Sequence, residues 1–127
     1  MLLIKAKAGL SKIHGLGLFA EELIPVGTRI WEFTPGLDLE ITPADFEELP
    51  QTAKEYIDFH GFLSKRTGNY HLSFDDIRFT NHSSDSPNIT TAAESDDVEL
   101  PLVAIRDIQP GEEILQDYDD FDSVSRF

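Results

Sequence analysis

A chain of 127 residues, 40% hydrophobic and 27% charged, can bury one modest core and is too apolar to be disordered. Ten basic against twenty-four acidic residues leave a net charge of −14, which argues against direct contact with nucleic acid and favours a basic partner. No cysteine is present for disulfides or thiolate zinc, and no stretch approaches the ~20 apolar residues that span a bilayer. A single domain over residues 1–127 is expected, cytoplasmic and without a membrane partner, because the opening MLLIKAKAGL carries lysines where a signal peptide is apolar.

In chain order, Leu2–Lys7, Gly17–Ala20 and Arg29–Thr34 read as short strands, with Pro25-Val26-Gly27 turning between the last two. Thr42, followed by Pro43 and Asp45, has the pattern of a capped helix start. Gln51–Phe59 sets Ala53, Tyr56, Ile57 and His60 on one helical face, and Gly61 ends it. Asn69–Phe74, Glu99–Arg106 and Glu113–Tyr118 then read as strands, with Gln109-Pro110-Gly111 as a turn. The fold class is therefore mainly β with short helices. Charge is uneven: residues 1–30 hold four basic and two acidic side chains, whereas Asp107 to Asp122 holds seven acids and no base. Such a run is either a solvated face or a field that attracts a cationic substrate.

Three segments carry possible chemistry. In SKIHGLGLFA, Gly15 and Gly17 form either a turn or a stretch of bare backbone against which a ligand can lie. IRFTNHSSDSPN reads alone as a polar loop, and the tyrosine ending AIRDIQPGEEILQDY as a half-buried packing residue.

Together, the glycine pair, the R-F-x-N-H-S…P-N segment and G-E-E-x-x-x-D-Y resemble the SET-domain protein lysine methyltransferases. The chain is most similar to compact microbial members without cysteine-rich flanks. The resemblance covers essentially the whole chain. It implies a SET-type β-clip fold, small sheets around a knot-like crossing, and transfer of a methyl group from S-adenosylmethionine to a lysine of a basic, histone-like protein or peptide. By the same resemblance His14, Gly15, Leu16, Gly17, Tyr70, Arg78, Asn81, His82 and Phe121 would bind the cofactor. Tyr118 would be catalytic, with Phe33 and Gln116 at the lysine channel. No metal is expected, and the protein is expected as a monomer or homodimer.

Three departures stand out. Ser84, Asp85 and Ser86 make three residues where the family has two before Pro-Asn, E-F-T-P-G is one residue longer than the family's E-Y-x-G, and Gln116 replaces a frequent aromatic. The first and the last of these support a rival reading, a catalytically idle SET fold that binds basic peptides or a partner through its acidic face. Calcium and zinc readings fail on spacing: Phe121 stands at the fifth position counted from Asp117, and His14, His60, His71 and His82 show no i, i+4 pair.

Overall fold

The structure, a computed structural model, describes residues 1–93 and 96–120. Its core is branched and aliphatic, and Leu18, Ile24, Ile30, Ile89, Ile108 and Ile114 are all essentially sealed from solvent. Most of these residues sit on short strands that pleat one side inward, so the apolar set is gathered from almost the full length of the chain.

The strands are β1 (Ala6–Leu10), β2 (Leu16–Ala20), β3 (Arg29–Trp31), β4 (Leu39–Ile41), β5 (Phe62–Leu63), β6 (Tyr70–Leu72), β7 (Asn81–His82), β8 (Ile89–Thr91), β9 (Leu102–Ala104) and β10 (Glu113–Gln116). Seven of them form one sheet in the order β1-β2-β10-β8-β9-β3, with β7 also on β10; β4, β6 and β5 form a second sheet. The helices are α1 (Pro43–Glu47) and α2 (Gln51–His60). Thr42 caps α1 by accepting the Asp45 amide at 3.2 Å, as its sequence pattern predicts. The turns at Pro25 and Gln109 are closed by Thr28 N–H to Pro25 C=O and Glu112 N–H to Gln109 C=O.

Two expectations are corrected. The first strand is Ala6–Leu10, not Leu2–Lys7. It pairs in antiparallel register with β2, from Ala6 opposite Ala20 to Leu10 opposite Leu16, while Leu2 bridges to Trp31. The shift follows from the hairpin closure: Ser11 N–H bonds Gly15 C=O at 2.8 Å and the Ser11 hydroxyl accepts the Ile13 amide at 2.9 Å. On α2, only Ile57 of the expected apolar face is buried, and Tyr56 stays exposed. Tyr56 stands instead under Arg78, whose guanidinium lies 5.8 Å from its ring and 5.3 Å from that of Phe79.

The pairing around β10 builds the crossing. β7 and β8 both run parallel to β10, with Gln116 facing both His82 and Ile89. Ser83 N–H donates to Gln116 C=O, whereas Asn88 N–H donates to Leu115 C=O. Carbonyls of successive strand residues point to opposite edges, so the 83–88 loop arches over β10 and flanks it on both sides. Asn88, wholly buried, uses its side-chain amide as if it were a strand residue, donating to Glu113 C=O and accepting from Leu115 N–H, each at 2.8 Å.

Candidate active site

The crossing ties together the three sequence segments. Asn81 Nδ2 reaches the carbonyls of His14 at 3.1 Å and Leu16 at 3.0 Å, and the Glu113 carboxylate at 2.9 Å. Ser11 donates to the same carboxylate. Gly17 is bare because Glu113 fills the space beside it: a Cβ there would stand 2.4 Å from Glu113 Oε2. Gly15 differs, with φ +45 and open space around its α-carbon.

Tyr118 stands two residues past the end of β10. Its amide donates to His82 Nδ1 at 3.1 Å, so neutral His82 carries its proton on Nε2, and the two rings meet edge to face. The Tyr118 hydroxyl donates to the Thr80 carbonyl. With that proton committed, the phenolic oxygen can act toward a ligand only as an acceptor.

Beside Tyr118 opens a cleft walled by Trp31, Phe59, Phe62 and Leu102 and reached by Arg78 and Gln116. Five buried side-chain polar atoms lack a hydrogen-bond partner among the described residues: Trp31 Nε1, His71 Nδ1, Arg78 Nε, Thr80 Oγ1 and Gln116 Nε2. All but the His71 atom belong to residues of this cleft wall. Leaving such groups unpaired costs roughly 1–3 kcal/mol each, and four of the five fall on residues of this one wall. His60 stands at the same wall with its pKa lowered, first by burial and then by the Arg78 charge, which keeps the imidazole neutral at pH 7.

His14, Gly15, Leu16, Gly17, Asn81, His82 and Tyr118 thus come together at the crossing, and Arg78, Gln116 and Tyr118 at the cleft. His14 reaches the cleft's edge, with its ring 6.2 Å from that of Phe59. Tyr70 is in β6, stacked on Phe46 of α1 at 3.9 Å, and so belongs to the second sheet. Burial, followed by the charges of Asp58 and Glu47, raises its hydroxyl pKa. Phe33 packs into the main core with its ring 5.2 Å from that of His71, and Trp31, two residues earlier, takes the cleft wall. Phe121 lies outside the described residues. The sequence reading missed Trp31, Glu99, Asn88 and the hub role of Glu113. Only the last two sit within motifs that could have drawn attention to them.

The SET domain family model matches residues 15–119. The chain belongs to the SET-domain family. Among solved structures, a protein from Plasmodium falciparum, assigned as a histone methyltransferase, has a TM-score of 0.65 at 23% identity, covering 92% of this chain and 95% of its own. A humanized mutant of the Chaetomium thermophilum Polycomb Repressive Complex 2, bound to the inhibitor GSK126, gives 0.62 at 25% identity. That match covers 93% of this chain but 15% of the other. A structure of ctPRC2 in an autoinhibited conformation, bound to S-adenosylmethionine, gives 0.63 at 24% identity, covering 93% and 16%. No curated relative matches the chain. The fold is a SET-domain fold, mainly β with small sheets, as its motifs imply.

Proposed function

We propose that this SET domain is a protein lysine methyltransferase that takes its methyl group from S-adenosylmethionine. The observation that carries the reading is the convergence of Tyr118, Gln116 and Arg78 on one largely apolar cleft, four of whose buried polar atoms lack partners among the described residues. The residues fit the cofactor. A zwitterion with an aromatic base needs a cation, an apolar face and unpaired hydrogen-bonding groups; Arg78, Phe59 and the orphaned atoms supply them. Gly15 adds an open stretch of backbone at the crossing. When bound, the sulfonium supplies an already activated methyl group.

The chain's own work is then alignment and exclusion of water. Neutralising a lysine of unperturbed pKa ~10.4 at pH 7 costs about 4.6 kcal/mol; the apolar walls Trp31, Phe62 and Leu102 lower that cost by disfavouring the ammonium, while the Glu99 carboxylate on the same wall acts against them. Tyr118, its proton held by Thr80, accepts an N–H from the neutral amine and so turns the nitrogen lone pair away from itself. His82 fixes the Tyr118 backbone, and Asn81 fixes the glycine segment against Glu113. The net charge of −14 favours a substrate lysine within a basic segment.

The test is calorimetry with S-adenosylmethionine followed by methyl transfer to an array of single-lysine basic peptides. Binding and transfer are expected, both indifferent to chelator. Tyr118→Phe should keep cofactor affinity while turnover falls about 100-fold, near 2.7 kcal/mol of barrier. Binding of the peptides without any transfer would favour the idle, peptide-binding alternative, and unchanged turnover in Tyr118→Phe would remove that residue from catalysis.

A further inference from the structure

Behind the cleft lies a buried polar chain that neither the motifs nor the mechanism above uses. Glu99 is on the cleft wall and only 4% exposed. Its Oε2 accepts the Ser64 hydroxyl and lies 3.7 Å from His71 Nδ1, while no hydrogen bond from the described residues reaches Oε1. His71, 2% exposed, contacts Glu40 through its other nitrogen, Nε2, at 3.1 Å, with Thr67 Oγ1 at 3.0 Å. The Glu40 side chain is 34% exposed. The order is cleft, carboxylate, imidazole, carboxylate, solvent.

A carboxylate this buried is costly to hold, and a well-packed apolar residue would join the sheets at less expense. We infer that Glu99 takes up the proton the substrate ammonium must lose before methyl transfer, and that His71 and Glu40 conduct it to the surface. This rests on the methyltransferase reading above. In the step, an ammonium N–H bond breaks, its electron pair stays on nitrogen, and the proton joins Glu99 Oε1. After a half-turn of the carboxyl group the same proton passes to the His71 Nδ1 lone pair, and His71 releases its Nε2 proton to Glu40 and thence to water. The 3.7 Å gap exceeds a hydrogen bond and must close on ligand binding, as such contacts commonly do. The groups facing His71 are Glu40 from β4, Glu99 from the segment before β9, Thr67 from the β5–β6 turn, and the rings of Phe33 and Phe62. Arg78 and His60 stand on the same cleft wall as Glu99.

The experiment takes the best acceptor from the peptide array and measures kcat against pH for wild type, Glu99→Gln and Glu40→Gln. Each is repeated with a peptide whose target lysine is replaced by S-aminoethylcysteine, an amine of lower pKa. Glu99→Gln should lower kcat on lysine about 100-fold at pH 7, the range of a positioned base. That loss should shrink as pH rises and shrink again for the weaker base. Glu40→Gln, on the solvent side, should show the same pattern with smaller amplitude. Without turnover, in the complex with S-adenosylhomocysteine, the ring-nitrogen resonances of His71 should move on adding the lysine peptide in wild type and stay put in Glu99→Gln. A loss equal at every pH and for both amines, or no loss, would overturn the relay while leaving the methyltransferase reading intact. A wild type silent on every peptide would remove both.

Discussion

Replacing Gly17 with alanine probes whether its bare backbone serves the protein or a ligand. The added Cβ would stand 2.4 Å from Glu113 Oε2, 2.9 Å from its Cδ and 3.1 Å from Ser11 Cβ, all closer than van der Waals contact. Glu113 must therefore swing away from Ser11 and Asn81, which bond it at 2.8 and 2.9 Å. Hydrogen bonds to a charged group are worth about 1.5–3 kcal/mol each. Part of that returns as the half-buried carboxylate finds water, so Gly17→Ala should cost roughly 2–4 kcal/mol, a midpoint lower by on the order of 10 °C. Urea and thermal unfolding measure the loss. In a Glu113→Ala background only the 3.1 Å approach to Ser11 Cβ remains, from a side chain no longer held by the carboxylate, so the same substitution should be close to neutral, the residual crowding offset by the stiffer alanine in the unfolded chain. The double-mutant cycle should thus return a coupling of at least about 2 kcal/mol. An equal cost in both backgrounds, or a loss of S-adenosylmethionine affinity from Gly17→Ala that persists in the Glu113→Ala protein, would show that the bare backbone faces a ligand instead.

Gln116 is 4% exposed at the cleft with an amide nitrogen unpaired among the described residues, and a half-turn of the amide brings its carbonyl to an N–H of a partly methylated ammonium. A trimethylated product has no N–H to give, so mono- or dimethyl-lysine should dominate. Mass spectrometry of one peptide over a long time course should show Gln116→Phe altering the ratio, and identical distributions would exclude control by this residue. His60 has a folded-state pKa below its unfolded 6.5, so the stability it contributes is present above 6.5 and lost as pH falls through the folded value. Thermal midpoints should fall with pH in that window and flatten in His60→Gln. Glu112, lowered chiefly by the Gln109 amide, acts in the same direction but only below about pH 4.5. Peptide association should weaken from low to high salt as the acidic field is screened beyond ~8 Å at physiological ionic strength; a flat response would reduce the charge to a solubility device.

The sequence alone was enough for the parts whose signals are local. The turns at Pro25 and Gln109 and the Thr42 cap rest on contacts within four residues, and the α2 boundaries rest on helical spacing and a terminal glycine. The grouping of His14 to Gly17 with Asn81, His82 and Tyr118 was legible because all three motifs survive in order. Tertiary structure decided what depends on partners far along the chain. β7 and β8 are two and three residues long, too short to carry a period, and they exist through distant partners, β7 through β10 and β8 through β10 and β9. The displaced first strand obeys the closure at Ser11 rather than the alternation of its own side chains. Phe33 and Trp31 are equally apolar to a reader of sequence, yet their roles divided once His71 packed against one of them. Glu99 and His71 are 28 residues apart with no motif to join them, and only the meeting of the second sheet with the segment before β9 makes them neighbours. Short strands and long-range pairs leave no periodic trace in a sequence, and in this protein the cleft is built from them.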